Sequence, residues 1–454
     1  MQNFYVKDIV EAANGRLLCG EPTVPVESIS TNSKEIGSKC LFVPIIGERV
    51  DAHRFIDSAI EAGAAAVLTS EHEAMDKAVP CIRVENTVTA LQEIGRYYGR
   101  TMNIPKIGIT GSVGKTTTKE MVACALSAGF RVFKTSGNSN SQIGVPITLS
   151  RISPEDEIAV IEMGISMPGE MKRLARLVDL DSAVVTNIGV SHIEQLGTQD
   201  GICTEKFRIA DALRSDGAVF LNGDDTVLLG HMHELNRKVV LFGLGENNDY
   251  RADNIISGET TEFDILKNNI KLCHVKLHVP GLHNVRNALA AVAVAERYGI
   301  TAQAAAGALE GYGGISMRQQ IIRHNGITVI DDSYNASPDS MKAGIDVLCA
   351  VGKGRRIAVL ADMLELGDDA ARYHGEVGEF IAGHNVDELI TYGDLAKNIG
   401  VTAACNKSLK IKHFDDREQI DAYLKRELRE GDTLLFKGSR GMKLNLCVEA
   451  LCNK

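Results

Sequence analysis

Tryptophan is absent from this 454-residue chain, and aromatic residues make up only 5% of it. A protein so poor in rings is badly equipped to stack bases. No long Lys/Arg run is present either, and the formal net charge is −10. Together these features exclude a general nucleic-acid binder. The ten cysteines include no C-x-x-C pair. In a cytosolic chain of this length they read as buried thiols, neither a disulfide frame nor a zinc site. No apolar run approaches the roughly 18 residues needed to span a bilayer. The start, Met1-Gln2-Asn3-Phe4-Tyr5, has no basic segment followed by an apolar one, as a secretory leader would. A cytoplasmic location without membrane insertion is therefore expected. Repeats and low-complexity tracts are missing too.

What is present is an ordinary apolar fraction, 44%. At about 150 residues per domain, the length suggests roughly three domains. Residues 101–105 read as a linker, and Gly311-Tyr312-Gly313-Gly314 marks a second boundary. The expected division is 1–103, 104–314 and 315–454. In the middle region, strands at 107–110, 131–134, 158–163, 183–187, 218–222 and 239–242 alternate with helical stretches. That order predicts a mostly parallel sheet covered on both faces. Residues 247–279 are polar and β-like, as in a small hairpin excursion, and 281–298 form an alanine-rich helix. Strands at 327–331, 356–360, 388–392 and 433–436 predict a second α/β domain. The fold class is α/β throughout.

One segment carries a definite chemistry. Gly111-Ser112-Val113-Gly114-Lys115-Thr116-Thr117 follows a short apolar run and precedes a helical stretch. A strand, a glycine turn and a helix N-terminus form a phosphate cradle, because backbone N–H groups and the helix dipole both face an anion there. Lys115 supplies a point charge for the β- and γ-phosphates, and Thr116 a hydroxyl for Mg²⁺. The standard P-loop wants a glycine where Ile109 stands, so the turn here is tighter.

In open α/β sheets ligands bind beyond the carboxyl ends of the strands. Glu162 lies at such an end and can hold Mg²⁺, the alternative being a salt-bridged glutamate. Asn187 ends the next strand, and His192 and Glu194 follow it. Spacing alone favours a satisfied loop histidine over a metal ligand. Asn138 and Asn140 sit in a Ser/Gly/Asn-rich loop that is as readily a plain turn. Lys206 falls in a helix-like stretch, where a solvated lysine is the default. Asn284 and Asn287, one turn apart, can read an adenine edge. Asp331-Asp332-Ser333-Tyr334-Asn335 follows a strand, where a carboxylate often meets a ribose hydroxyl. Lys437-Gly438-Ser439-Arg440-Gly441 suits anionic groups, with solvated charge as the alternative.

The set as a whole resembles the Mur ligase family, the ATP-dependent amide-forming enzymes of bacterial wall synthesis. The matching segments are GITGSVGKTTTKE (108–120), GNSNSQIGVP (137–146), IEMG (161–164), TNIGVSHIEQLG (186–197), GLHNVRNALAA (281–291), DDSYNASPDSM (331–341), VLADMLELGDD (359–369) and LLFKGSRGMKL (434–444). DDSYNASPDSM and ADMLELGDD most resemble the member that adds D-alanyl-D-alanine to a UDP-N-acetylmuramoyl-tripeptide. The N-terminus lacks the glycine-rich fingerprint that the two earliest ligases of the pathway use for UDP. The Asp-Asn-Pro-Arg segment of the diaminopimelate-adding ligase is also missing. A sister ligase adding the third amino acid is the near alternative, and a non-catalytic nucleotide-binding module the distant one.

The resemblance implies a UDP-binding first domain, a central P-loop-type ATP domain and a Rossmann-like third domain. It implies ATP and Mg²⁺, the UDP-linked tripeptide and D-alanyl-D-alanine as partners, and a monomer. Glu162 and His192 become Mg²⁺ ligands beside Thr116. Lys206 corresponds to the family lysine that CO₂ carbamylates, although the usual Lys-Gly-Glu here reads Lys206-Phe207-Arg208. A carbamate there is a carboxylate on a long arm, able to reach a second Mg²⁺. Asn287 becomes the adenine contact, with Arg318 and Asp332 on phosphate and ribose. Ser33 carries over as a UDP-sugar contact; its neighbours Asn32 and Lys34 stand where the family usually has an acid and an arginine. Asn138, Asn140, Asn335, Lys437, Ser439 and Arg440 are the remaining substrate contacts.

Overall fold

The computed structural model describes residues 1–452 and contains three sheets, each with its own hydrophobic core. The first sheet has five strands. Four of them, from Ser28–Ser30 to Cys81–Arg83, run parallel, and Arg16–Cys19 closes one edge in the antiparallel sense. Helix Thr87–Thr101 then leads out of this unit.

The central sheet has nine strands. Lys106–Thr110 lies between Ile158–Glu162 and Ser182–Val185, parallel to both. The chain winds outward to Val132–Lys134, returns to Ile158–Glu162, and then crosses to the other side of Lys106–Thr110. That reversal opens a crevice at the carboxyl ends of these strands. Every residue of Lys106–Thr110 and Ile158–Glu162 is buried, as expected for strands covered on both faces. The two covering layers are separate cores. Helices Lys115–Leu126 and Leu282–Arg297 pack together on one face. Helices Glu170–Val178 and Gln199–Phe207 cover the other. Small alanines at 288, 290, 291, 293 and 295 let the long helix lie close against its neighbours.

The polar stretch expected to form a small hairpin is a three-stranded antiparallel meander instead. Tyr250–Ser257, Thr261–Lys267 and Ile270–Leu277 extend the central sheet, joined to it where Tyr250 and Arg251 pair with Phe242 and Gly243. One face of the meander, with Phe263, Ile265, Cys273, Val275 and Leu277, belongs to the central core, and the other face is wet. That is why its composition reads as polar.

The third sheet has six strands: Ile327–Asp332, Thr433–Lys437, Arg356–Ala361, Glu388–Tyr392 and Lys410–Phe414 run parallel, with Gln320–His324 antiparallel at one edge. The edge strands Gln320–His324 and Lys410–Phe414 had no counterpart in the sequence reading, since their mixed polarity hides them. Among the described residues, no helix is long and apolar enough to cross a membrane.

Gly95 couples the first unit to the second. A Cβ added there would lie 2.6 Å from Cα and Cβ of Pro146, at the start of helix Gly144–Leu149. Glycine to alanine inside a helix is normally stabilising by about 1 kcal/mol. Here the overlap is with backbone that cannot swing away. We expect Gly95→Ala to destabilise by about 1–3 kcal/mol, read from urea unfolding midpoints. A raised midpoint would show that the two helices have room between them.

Candidate active site

The glycine turn leaves its strand under tight control from the neighbouring loop. Ser112 N donates to the Asn187 carbonyl at 3.0 Å, and Val113 N to Asn187 Oδ1 at 2.8 Å. Thr186 Oγ1 donates to the Val113 carbonyl at 2.5 Å. Gly111 has φ 146°, and a Cβ on it would lie 1.9 Å from Thr186 Oγ1. Gly114, at φ 84°, starts helix Lys115–Leu126. The first N–H groups of such a helix have no intrahelical acceptor.

Two lysines converge on this turn. Lys115 Nζ donates to the Gly111 carbonyl at 2.7 Å and to that of Ser112 at 3.2 Å. Lys206 Nζ donates to the same Gly111 carbonyl at 3.1 Å. Sharing one acceptor keeps the nitrogens within about 6 Å, where like charges disfavour each other's ionised form. Lys206 is 1% exposed, so the expected solvated helix lysine is instead a core residue. Burial, then the Lys115 ammonium, pushes it well below the ordinary lysine range. Burial also lowers Lys115, while Glu162 raises it.

Glu162 is 2% exposed. Its Oε1 accepts from Thr116 Oγ1 at 3.2 Å and from Asn140 Nδ2 at 2.8 Å. Lys119, also buried, stands 3.7 Å from Oε2. Oε2 itself has no hydrogen-bond partner, and neither does the buried Ser112 Oγ. A carboxylate oxygen left over beside a threonine hydroxyl suits a hard cation such as Mg²⁺. A free serine hydroxyl and a half-buried ammonium at a helix N-terminus suit a polyphosphate. The residues present therefore fit both groups.

These residues open into a cleft of about 970 Å³ between the second and third sheets. From the central unit it is lined by Ser112 to Thr117, Asn138, Asn140, Glu162, His192 and Asn287. The third unit adds Arg318, Asp332, Asn335 and Lys437. His192 Nδ1 lies 2.8 Å from Glu365 Oε2. Burial lowers the imidazole's pKa, with Glu365 opposing. Asn287 Oδ1 accepts from Thr118 Oγ1 at 3.0 Å, and its Nδ2 donates to Asn284 Oδ1 at 3.3 Å. Lys437 Nζ bridges Asp332 Oδ2 at 2.7 Å and the Asn335 carbonyl at 3.1 Å. Burial raises the Asp332 pKa despite that partner. The Arg318 guanidinium sits 4.1 Å from the centre of the Tyr334 ring.

Three expected contacts stand apart from this cleft. Ser33 lies in the first unit, and no residue before Ser112 lines the cleft. Ser439 Oγ accepts from Leu364 N at 2.9 Å and is 4% exposed, so it fastens one loop to another. Arg440 is exposed and reaches Met317 Sδ. Gly111 and Lys206 sit just behind the lining, in contact with Lys115 through the shared carbonyl.

The sequence reading also missed residues that do line the cleft. Asp224 follows strand Ala218–Asn222 and accepts from Leu244 N, Gly245 N, Asn248 Nδ2 and Arg286 Nε. Burial works against its charge, but these donors outweigh it and hold the carboxyl below its usual range. The strand-end rule would have found it. His283, whose pKa burial pushes down to about 4, gave no comparable signal.

Known proteins resemble the chain over nearly its whole length. Residues 109–295 match the Mur ligase middle domain, 317–440 the Mur ligase glutamate ligase domain, and 25–98 the Mur ligase family catalytic domain. The chain is 39% identical over 461 residues to UDP-N-acetylmuramoyl-tripeptide–D-alanyl-D-alanine ligase of Bacillus subtilis (strain 168), covering 98% of both chains. The crystal structure of MurF from Acinetobacter baumannii superposes with a TM-score of 0.91 at 28% identity, over 99% of each chain. MurF ligase from Thermotoga maritima in complex with ADP gives 0.84 at 28% identity, over 94% of this chain and 97% of that one.

If Gly111 is the pivot of the cradle, a single methyl group should disable it. We expect Gly111→Ala to weaken ADP binding at least about tenfold, or 1.4 kcal/mol, by calorimetry. Wild-type affinity would mean that Thr186 can yield without disturbing the loop.

Proposed function

The chain belongs to the Mur ligase family, and from that premise we propose that it is the ATP-dependent ligase that adds D-alanyl-D-alanine to UDP-N-acetylmuramoyl-tripeptide in bacterial peptidoglycan precursor synthesis. The observation that carries this reading is the meeting of Lys115, Thr116, Glu162 and His192 in one cleft, faced by Arg318, Asp332 and Lys437. On this reading residues 1–103 hold the UDP-sugar, with Ser33 among the contacts. Residues 104–314 hold ATP, and 315–454 close over it with the incoming dipeptide. A cytoplasmic location follows from where such precursors are built.

When bound, ATP supplies the phosphoryl group that turns the tripeptide's terminal carboxylate into an acyl phosphate, while Mg²⁺ offsets the charge gathered there. The dipeptide's free amine then attacks the acyl carbon, and phosphate leaves. Two anions must approach each other for the first step. The chain's contribution is to make that approach possible. Lys115 and the N–H groups of the turn hold the phosphates. Thr116, Glu162 and His192 would hold the metal. Asn287, Arg318 and Asp332 would meet adenine, phosphate and ribose. Asn138, Asn140, Asn335 and Lys437 line the same space from both sides and orient the acid and the amine. Closure of the third unit excludes water, which would otherwise hydrolyse the activated acid.

Lys206 has a finer role. A carbamate forms when an unprotonated amine attacks CO₂ and loses a proton, so the amine must be neutral. Burial and the neighbouring Lys115 favour the neutral form of Lys206. The carbamate would set an anion beside the Lys115 ammonium, where a second ammonium is disfavoured, and would add an oxygen ligand for a metal. Ser439 then acts on substrate through the loop it fastens, while Arg440, 5.8 Å from the Tyr334 ring at the cleft wall, would meet an anionic group directly.

The deciding assay is phosphate release that requires both the UDP-linked tripeptide and D-alanyl-D-alanine. Free amino acids in place of the dipeptide should give no turnover, which separates this activity from a sister ligase. Lys115→Ala should lower turnover by about 10²–10³-fold with an unchanged circular dichroism spectrum. Near-normal release in that variant would remove Lys115 from the chemistry. Lys206→Ala should lose most activity and regain part of it with added acetate or formate. In the wild type, ¹³CO₂ should give a carbamate carbon signal that this variant lacks.

A further inference from the structure

Glu365 belongs to the third unit, on the loop after strand Arg356–Ala361. It nonetheless reaches into the central unit and pairs with His192 Nδ1 at 2.8 Å. Glu365 holds φ 63° and His192 φ 62°, the left-handed region that few non-glycine residues occupy. Both residues sit on a seam between the two units. Val190 is part of the third unit's core, and Ile193 packs against that core as well. Across the seam, Gly367 has room for a Cβ only 3.5 Å from Glu194 Cβ.

An ion pair in which the carboxylate side chain is 58% exposed and the imidazole 27% adds little to stability. Its effect lies in the ring. A carboxylate on Nδ1 fixes the proton there and leaves Nε2 unprotonated as the ring's donor nitrogen. Histidines that bind metals are typically held in this way by an outer carboxylate. Resting on the ligase reading above, we infer that Glu365 is a positioning residue for His192, supplied across the seam by the third unit. The metal site then draws its ligands from the central unit and the orientation of its imidazole from the third.

The test measures metal binding apart from turnover. Mn²⁺ is titrated into the full-length protein with a non-hydrolysable ATP analogue and followed by electron paramagnetic resonance. Glu365→Ala should weaken Mn²⁺ binding by about 10–100-fold, the usual range for losing such an outer partner. Glu365→Gln, whose amide oxygen still accepts from Nδ1–H, should recover most of it. In a His192→Ala background, Glu365→Ala should add less than about twofold, because the two residues act as one unit. Thermal midpoints of the two Glu365 single variants should match the wild type, since Glu365 is exposed. Wild-type Mn²⁺ affinity in Glu365→Ala would overturn the inference, as would an undiminished effect without His192. The ligase reading fails separately, if the wild-type protein binds Mn²⁺ and the analogue but shows no dipeptide-dependent phosphate release.

Discussion

The constraint on which the site depends is the absence of a side chain at Gly111. Thr186 Oγ1 occupies the space a Cβ would need, 1.9 Å away. That contact draws the end of strand Ser182–Val185 tight against the glycine turn and lets the loop amides reach Asn187. It also exposes the Gly111 carbonyl to two ammonium groups at once. A carbonyl is a modest acceptor, and two cations on it are an unstable arrangement in a low-dielectric interior. The local field favours an incoming anion and a neutral Lys206. Both tendencies point toward phosphate chemistry before any ligand is considered.

Glu162 provides the opposite pole. Its carboxylate is hydrogen-bonded to Thr116 and Asn140, while its second oxygen accepts no hydrogen bond and has only the Lys119 ammonium near it, at 3.7 Å. A buried polar atom without a partner costs about 1–3 kcal/mol. An arrangement that leaves Glu162 Oε2 in this state trades stability for a binding function. The Lys115 ammonium and the Glu162 carboxylate are thus held on separate regular elements, the start of helix Lys115–Leu126 and the end of strand Ile158–Glu162. Side chains on rigid elements keep that separation better than side chains on loops.

Legibility in the sequence followed locality. The glycine turn could be read because strand, turn and helix are contiguous, and the turn's chemistry lies in its backbone. Buried strands such as Ile158–Glu162 are continuous apolar runs, so Glu162 stood out as the polar residue at the end of one. Lys206 was different. Its helix is unremarkable in pattern, and its burial arises from packing against a loop 95 residues away. Only the family resemblance singled it out. Asp224 was open to the strand-end rule, but what fixes its carboxylate, four donors from positions 244 to 286, is not local. The Gly-Ser turn at 438–439 shows the reverse case. Its residue types suit an anion, yet the serine hydroxyl accepts a backbone N–H, a use that composition cannot distinguish from ligand binding.

The edge strands and the meander were obscured for a related reason. Half of their side chains face water, so alternation dilutes the apolar signal that marks a central strand. These elements carry none of the cleft chemistry, but they set its geometry. The meander's inner face completes the core beneath helix Leu282–Arg297, whose first two turns carry Asn284 and Asn287 to the cleft wall. Asn287 is then tied to Thr118, one turn into the phosphate-facing helix. A sheet extension that looks like an accessory therefore fixes the distance between two walls of the nucleotide site. The third unit sets the remaining distance through the seam at Val190 and Ile193, so the cleft is shaped by packing on both sides and its polar residues need only small adjustments to meet a ligand.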